Sequence, residues 1–266
     1  MIVRFLLSFV KRLDQRLVRV SMHLVRLRYR KQHVIHPKHL FDPERNTYLA
    51  SILERKDPGF SFLDLGCGAG SDLLLACESG AKSVYGIEVL SYSRQVATDR
   101  IKGFDIESSV VDSNLEDGEL PFPDGSIDVI NFTNVLEHIV NRQAVLQELE
   151  RVLHDDGEAL ISIPNKDTPW KKLQRRYGMD SRDDIDHKIE YSEDGIHSEM
   201  EEAGLTISTP LSVIVPSLPI HGWLCLLCVF SPKAYLWGQN FKRRLVNKHP
   251  QHSIGWIFVV KKSSSC

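Results

Sequence analysis

Cysteine is scarce in this 266-residue chain and odd in number: Cys67, Cys77, Cys225, Cys228 and Cys266. No disulfide framework is visible, a chain of this length does not need one, and a reducing, cytoplasmic setting is expected. No apolar run is both long and unbroken. The stretch from Ala203 to Pro232 has no Asp, Glu, Lys or Arg and exceeds the ~20 residues of a spanning helix. Pro210, Pro216, Pro219 and Gly222 interrupt it, so a spanning helix is not expected. The apolar piece FLLSFV, residues 5–10, is bracketed by Arg4 and Lys11-Arg12. No small-residue cleavage site follows, so a secretory signal is not expected either. Cys266 is the last residue, whereas a prenylation box needs its cysteine four from the end. Acid is nearly missing from the first 33 residues, where nine Lys or Arg face Asp14 alone. The net charge of −2 therefore conceals a basic start and an acidic remainder.

The basic start has a pattern. Leu6, Val10, Leu13, Leu17, Val20, Leu24 and Leu27 recur every three or four positions, with Arg12, Arg16, Arg19, Arg26 and Arg30 elsewhere on the wheel. This predicts a basic amphipathic helix over 1–31, broken near Ser21, within an extension over 1–40. Two uses stay open: peripheral contact with the inner face of a membrane, or packing on the main domain with a solvated basic face. Nucleic acid is not an expected partner, because no aromatic residues interleave with the basic ones. The sequence does not speak to oligomeric state.

From residue 41 short apolar runs alternate with helical stretches. Asp42 and Pro43 open a helix reaching Lys56. Strands are predicted at 60–65, 83–88, 108–111, 127–132 and 159–163. Helices are predicted at 71–79, 91–102 and 141–153, the last stopped by an Asp155-Asp156-Gly157 turn. The fold class is α/β: a Rossmann-like, doubly wound, mostly parallel sheet whose ligand crevice lies beyond the carboxyl ends of its strands. The core of this domain spans 41–165, and 166–266 supplies its C-terminal part. Residues 166–190 are highly charged and read as a loop. A helix follows at 192–203. Strands at 206–215 and 254–260, the last antiparallel, bring the sheet to seven. The uncharged insertion over 203–232 contains Trp223–Phe230, read as a core helix, a hydrophobic lid or an interfacial segment.

The chemistry concentrates in FLDLGCGAGSD, residues 62–72. Glycines this dense mark a turn that something approaches closely. A P-loop is excluded because no Lys-Ser or Lys-Thr pair follows. The dinucleotide pattern G-x-G-x-x-G is broken because Ser71 holds its last position. Residues 62–70, with VYGIE (84–88), LPFPDGSIDVI (120–130) and NVLEHI (134–139), resemble the class I S-adenosylmethionine-dependent methyltransferases. The nearest branch acts on small molecules, quinones, sugars and lipids. Four motifs in order at suitable spacing carry the resemblance.

The resemblance implies S-adenosylmethionine as cofactor, held by Asp64, Gly66, Cys67, Gly68, Gly70, Glu88, Asp112, Ser113 and Phe132. The bare turn takes the methionine end, where helix amides favour its carboxylate. Glu88 accepts the ribose hydroxyls, Asp112 the adenine amino group. NLEDGE (114–119) is longer than the usual link and weakens the assignment of Asp112. Asp64 and Glu88 have a plainer reading as helix caps, and Cys67 as a small packing residue. His138 and His187 are the candidate acid–base residues, since a hydroxyl acceptor benefits from a base.

No metal is expected. Cys225 and Cys228 with His221 are a poor ligand set on an apolar helix. The basic group Lys171, Lys172, Arg175 and Arg176 reads as a solvated face or an anion site. The expected function is methyl transfer to a small, amphiphilic or lipid-linked acceptor, with O-methylation favoured. Membrane contact would run through 1–31 and 203–232. The alternative is a nucleoside-binding scaffold that keeps the fold without turnover.

Overall fold

The computed structural model of the chain describes residues 2–29, 47–213 and 221–263. The expected helix start at Asp42-Pro43, the end of the strand expected over 206–215 and the terminal Cys266 lie outside them. Contacts divide the chain into two compact units. One comprises Asn46–Pro164, Asp186–Ser212 and Ile257–Cys266; the other comprises Met1–Arg45, Asn165–Ile185 and Val213–Trp256.

The first helix is α1 (Ile2–Tyr29), followed by α2 (Thr47–Leu53). Then β1 (Ser61–Leu65), α3 (Ser71–Glu78), β2 (Ser83–Ile87), α4 (Ser91–Ile101) and β3 (Glu107–Val111) alternate. β4 (Ile127–Thr133), α5 (Arg142–Val152) and β5 (Leu153–Pro164) complete the alternation. α6 (Pro169–Arg176), α7 (Glu193–Glu202), β6 (Leu205–Ile207), β7 (Ser212–Val213), α8 (His221–Phe230), α9 (Pro232–Lys248) and β8 (Gly255–Lys262) follow.

The sheet has the order β3-β2-β1-β4-β5-β8-β6, with the two-residue β7 beside β8. β1 runs parallel to β2 and β4, β2 to β3 and β4 to β5, while β6 and β8 are antiparallel. This is the predicted mixed sheet, with the single strand expected over 206–215 replaced by two short pieces. Every residue of β1 is buried, as befits a central strand covered on both faces. Phe62, Leu73, Val84, Ala97, Val129 and Leu160 belong to one core cluster around it. Strand order reverses between β1 and β4, which places the expected crevice at their carboxyl ends.

Four elements depart from the sequence reading. α1 is continuous through Ser21, whose hydroxyl donates to the Val18 carbonyl at 2.7 Å and so stays inside the helix. The Asp155-Asp156-Gly157 turn is absorbed into β5, where pairing shifts from Ile127↔Leu153 to Val129↔Glu158. The extra residues on one strand form a bulge rather than a loop.

The charged segment 166–190 contains α6, capped by the Thr168 hydroxyl on the Lys171 amide with Pro169 at the first position. Its inner face is polar: Lys171 and Gln174 are buried, and Lys171 pairs with Asp183 at 2.6 Å. Lys171 is therefore no part of a solvated face. The fourth departure is α9, which the sequence pattern does not predict. Its buried residues include Gly238, Gln239 and Lys242, which give no apolar stripe.

Within the second unit α8 lies against α1, and the Gly222 amide donates to Asp14 Oδ1 at 2.6 Å. A side chain at Gly222 would collide with the α1 backbone at Asp14. Val25, Cys228, Val229 and Tyr235 form a small core there. Among the described residues no helix is long and apolar enough to cross a membrane.

Candidate cofactor and acceptor site

The turn after β1 puts Gly66, Gly68 and Gly70 at φ 76°, 52° and 74°, a left-handed region that favours glycine. The amides of Gly66 and Cys67 both donate to the Ile87 carbonyl, at 2.9 and 3.0 Å, and tie the turn to the end of β2. The three glycines serve different ends. A Cβ on Gly66 would sit 2.5 Å from Val135 Cγ2, and one on Gly70 would sit 2.8 Å from Ala97 Cα. Those two positions are bare because the protein itself packs there. A Cβ on Gly68 would meet nothing within 4 Å. Of the three, Gly68 alone faces open space and presents a bare backbone that a ligand can approach.

Carboxylates gather near this turn. Glu88, just past β2, accepts from the Gly68 amide at 2.9 Å through Oε2 and from the Leu90 amide at 2.8 Å through Oε1. Two amides leave a carboxylate with lone pairs to spare. Asp64 is buried in β1 and accepts from Asn131 Nδ2 at 2.8 Å, and the same amide group reaches Asp72 at 3.2 Å. Burial pushes the Cys67 thiol far up, and the charges of Asp64, Glu88 and Asp72 push it further. Three negative groups thus act on the turn. That field suits a cationic sulfonium and ammonium and opposes a pyrophosphate.

Cys67 also packs over Gly86, where any side chain would lie 2.8 Å from its sulfur. Asp112 follows β3 and is held bidentately by Arg94 at 3.0 and 2.8 Å. Its side chain is 69% exposed. The same guanidinium donates to the Glu88 carbonyl at 2.8 Å, so Arg94 joins the two loops. Ser113 is half-buried beside the exposed Asp112. Phe132 is buried in β4, one residue past Asn131, where β4 last pairs with β1.

The two candidate histidines meet. The rings of His138 and His187 stand edge-on with centroids 4.9 Å apart. His138 closes a short 3-10 turn, Leu136–His138, after β4. The amides of Lys188 and Ile189 donate to the Glu137 carbonyl at 2.7 and 3.3 Å, which carries His187 to it. His187 Nδ1 lies 3.2 Å from Glu190 Oε1. Glu137 is 4% exposed, and burial raises its carboxyl to about 7. Val135, which packs on Gly66, belongs to the same loop, so the histidine turn and the glycine turn touch.

Sequence reasoning does not single out four contributors: Asn131, Asp72, Asn134 and Glu190. Asn134 has φ 59°, the one non-glycine residue in that region among those described, and its amide donates to Ser162 Oγ at 2.9 Å. Asn tolerates this conformation better than most residues, and its place after a strand end is the available signal.

This arrangement lies at the switch point of a doubly wound sheet, where such folds take their ligands, and its charge fits a cationic nucleoside. The profile of the family described as "Methyltransferase domain" matches residues 32–209, and the chain belongs to that family, within the class I S-adenosylmethionine-dependent methyltransferases. S-adenosylmethionine is the cofactor of that class. Among similar proteins are a 27-O-demethylrifamycin SV methyltransferase of Amycolatopsis mediterranei and a demethylmenaquinone methyltransferase of Tropheryma whipplei. The first is 32% identical over 39% of this chain and 38% of the relative; the second is 32% identical over 45% and 49%. The chain thus spans less than half the length of either.

Solved structures with the same fold include a methyltransferase from Mesorhizobium loti (TM-score 0.57, 15% identity, 84% of this chain and 100% of that one). They also include the cyclase SpnF (TM-score 0.58, 20% identity, 84% and 82%). A cyclase on this fold shows that the fold alone does not fix the reaction.

Proposed function

We propose that this chain moves the methyl group of S-adenosylmethionine to an oxygen of a small amphiphilic or lipid-linked acceptor. The observation that carries the reading is the opening at Gly68, bare and bonded to Glu88, in a turn whose Cys67 feels the charges of Asp64, Asp72 and Glu88. Glu88 holds the ribose, Asp64, oriented by the Asn131 amide, the amino end, and Asp112 the adenine edge. The bound cofactor supplies an electrophilic methyl on a positive sulfur. The protein's own work is to align the acceptor and exclude water. His138 and His187, beside the buried Glu137, receive the acceptor's proton. Such a base contributes about 10²–10⁴-fold.

Two relatives named for a 27-O-demethylrifamycin and a demethylmenaquinone support an acceptor of this kind. So does α1. Its Ile2, Phe5, Leu6 and Phe9 are exposed at helical spacing, which puts them on one face. Arg4, Lys11, Arg12, Arg16 and Arg19 flank them. An amphipathic helix of this kind lies in a membrane interface. Exposed Trp223 and Phe230 on α8 and Trp237 and Phe241 on α9 add to the apolar surface of the same unit. The domain division at residues 40 and 165 is proposed on the same grounds: a surface-binding extension, a cofactor core and an acceptor-binding remainder.

Incubation with methyl-labelled S-adenosylmethionine and fractionated extracts tests the reading. Label is expected in an organic-soluble product with the chemical stability of an ether. Label only in water-soluble products, or none in any fraction, overturns it.

A further inference from the structure

We propose that Glu137, His138 and His187 form a site for one divalent transition-metal ion of the zinc type. Each offers a ligand atom, and the three atoms lie within 4.8 Å of one another. Donors that share one ion at about 2.0–2.2 Å must converge in this way. Burial alone does not explain the cluster. Glu137 Oε2 is buried with no hydrogen-bond partner among the described residues, and its residue is only 4% exposed. A buried carboxylate oxygen left without a donor calls for an explanation, and a bound cation supplies one.

The surroundings are arranged as a metal-binding imidazole requires. His187 Nδ1 contacts Glu190 Oε1 at 3.2 Å, the kind of carboxylate contact that orients the ring toward an ion through its other nitrogen. The backbone amides of Lys188 and Ile189 bind the Glu137 carbonyl, which fixes the two ligand-bearing segments to each other. Glu137-His138 and His187 are distant in sequence, yet these bonds hold them together before any ion arrives.

Two imidazoles and one carboxylate are the donors of a zinc-like ion, whereas calcium and magnesium prefer oxygen alone. Three protein donors leave a tetrahedral ion with an open position. That position suits an oxygen ligand. On the proposed methyl transfer to oxygen it would take the acceptor hydroxyl and lower its pKa, so that with both imidazoles held by the ion the proton would leave to solvent water instead of to a histidine. Ion binding itself stands independently of that reaction.

The test uses the full chain, freed of metal by a chelator and titrated with Zn²⁺ and with Co²⁺ by calorimetry. One ion per chain is expected, and the cobalt form is expected to show the visible absorption of a low-coordinate site. His187→Ala and Glu137→Gln should each weaken binding at least about tenfold, while His221→Ala, on the cysteine-bearing α8, should leave it unchanged. A zinc-soaked crystal of the unaltered chain should show an anomalous peak between the three side chains, which covers the case of a variant that fails to fold. No stoichiometric binding, binding that survives in both variants, or a peak elsewhere overturns the proposal. Because binding is read without turnover, its failure is distinct from a failure of methyl transfer.

Discussion

The Gly68 amide donates to the Glu88 carboxylate at 2.9 Å, so the bare turn after β1 and the acid after β2 are one unit. The proposed ribose acid is thereby aimed before a ligand arrives. Glu88→Ala should weaken S-adenosylmethionine binding by about 10–100-fold, the worth of hydrogen bonds to a charged group. Asp112→Ala should cost less than about tenfold, because its side chain is 69% exposed and shared with Arg94. Titration calorimetry on the two variants gives the order. Equal losses would remove the distinction.

Gly68→Ala and Gly70→Ala separate ligand space from packing space. Both force alanine into a left-handed backbone, at about 1–2 kcal/mol. At position 70 the new methyl also strikes the backbone of Ala97, so that variant should be the less stable in denaturant unfolding. At position 68 the methyl enters open space, so the fold should survive while cofactor affinity falls. A Gly68→Ala protein that binds the cofactor normally would show that the opening is not the site.

Glu148 is held below its ordinary range chiefly by its hydrogen bond to Arg151, with the Leu120 amide adding to it. A depressed carboxylate stabilises the fold above its unfolded value, near 4.3, and loses that contribution as pH falls through the folded value. Wild type should therefore exceed Glu148→Gln in stability at pH 7, with the gap closing below about pH 4. Unfolding curves at several pH values check it. A gap that stays constant with pH would contradict the charge-based account.

Phe5→Ser with Phe9→Ser should reduce sedimentation with vesicles containing anionic lipid, since each buried aromatic is worth about 1.5–3 kcal/mol. Unchanged sedimentation would return α1 to a packing role.

The glycine turn and the strand–helix alternation are legible in sequence because each is a local pattern, and the acid at residue 88 because it closes the VYGIE motif. α6 is not, because its buried face is Lys171 and Gln174 rather than an apolar stripe. α9 is hidden in the same way by Gly238, Gln239 and Lys242. His138 and His187 can be nominated separately. Their contact cannot, because it depends on backbone bonds from Lys188 and Ile189 to Glu137. The division of labour among the three glycines needs Val135 and Ala97 in place, and neither is near them in sequence.

Titration of the purified chain with S-adenosylmethionine and, separately, with NAD tests the central claim most directly. The opening at Gly68, bonded to Glu88, predicts one S-adenosylmethionine per chain, sharply weakened by Glu88→Ala, and no comparable binding of NAD. Tighter binding of NAD, or S-adenosylmethionine binding that ignores the loss of Glu88, would contradict it.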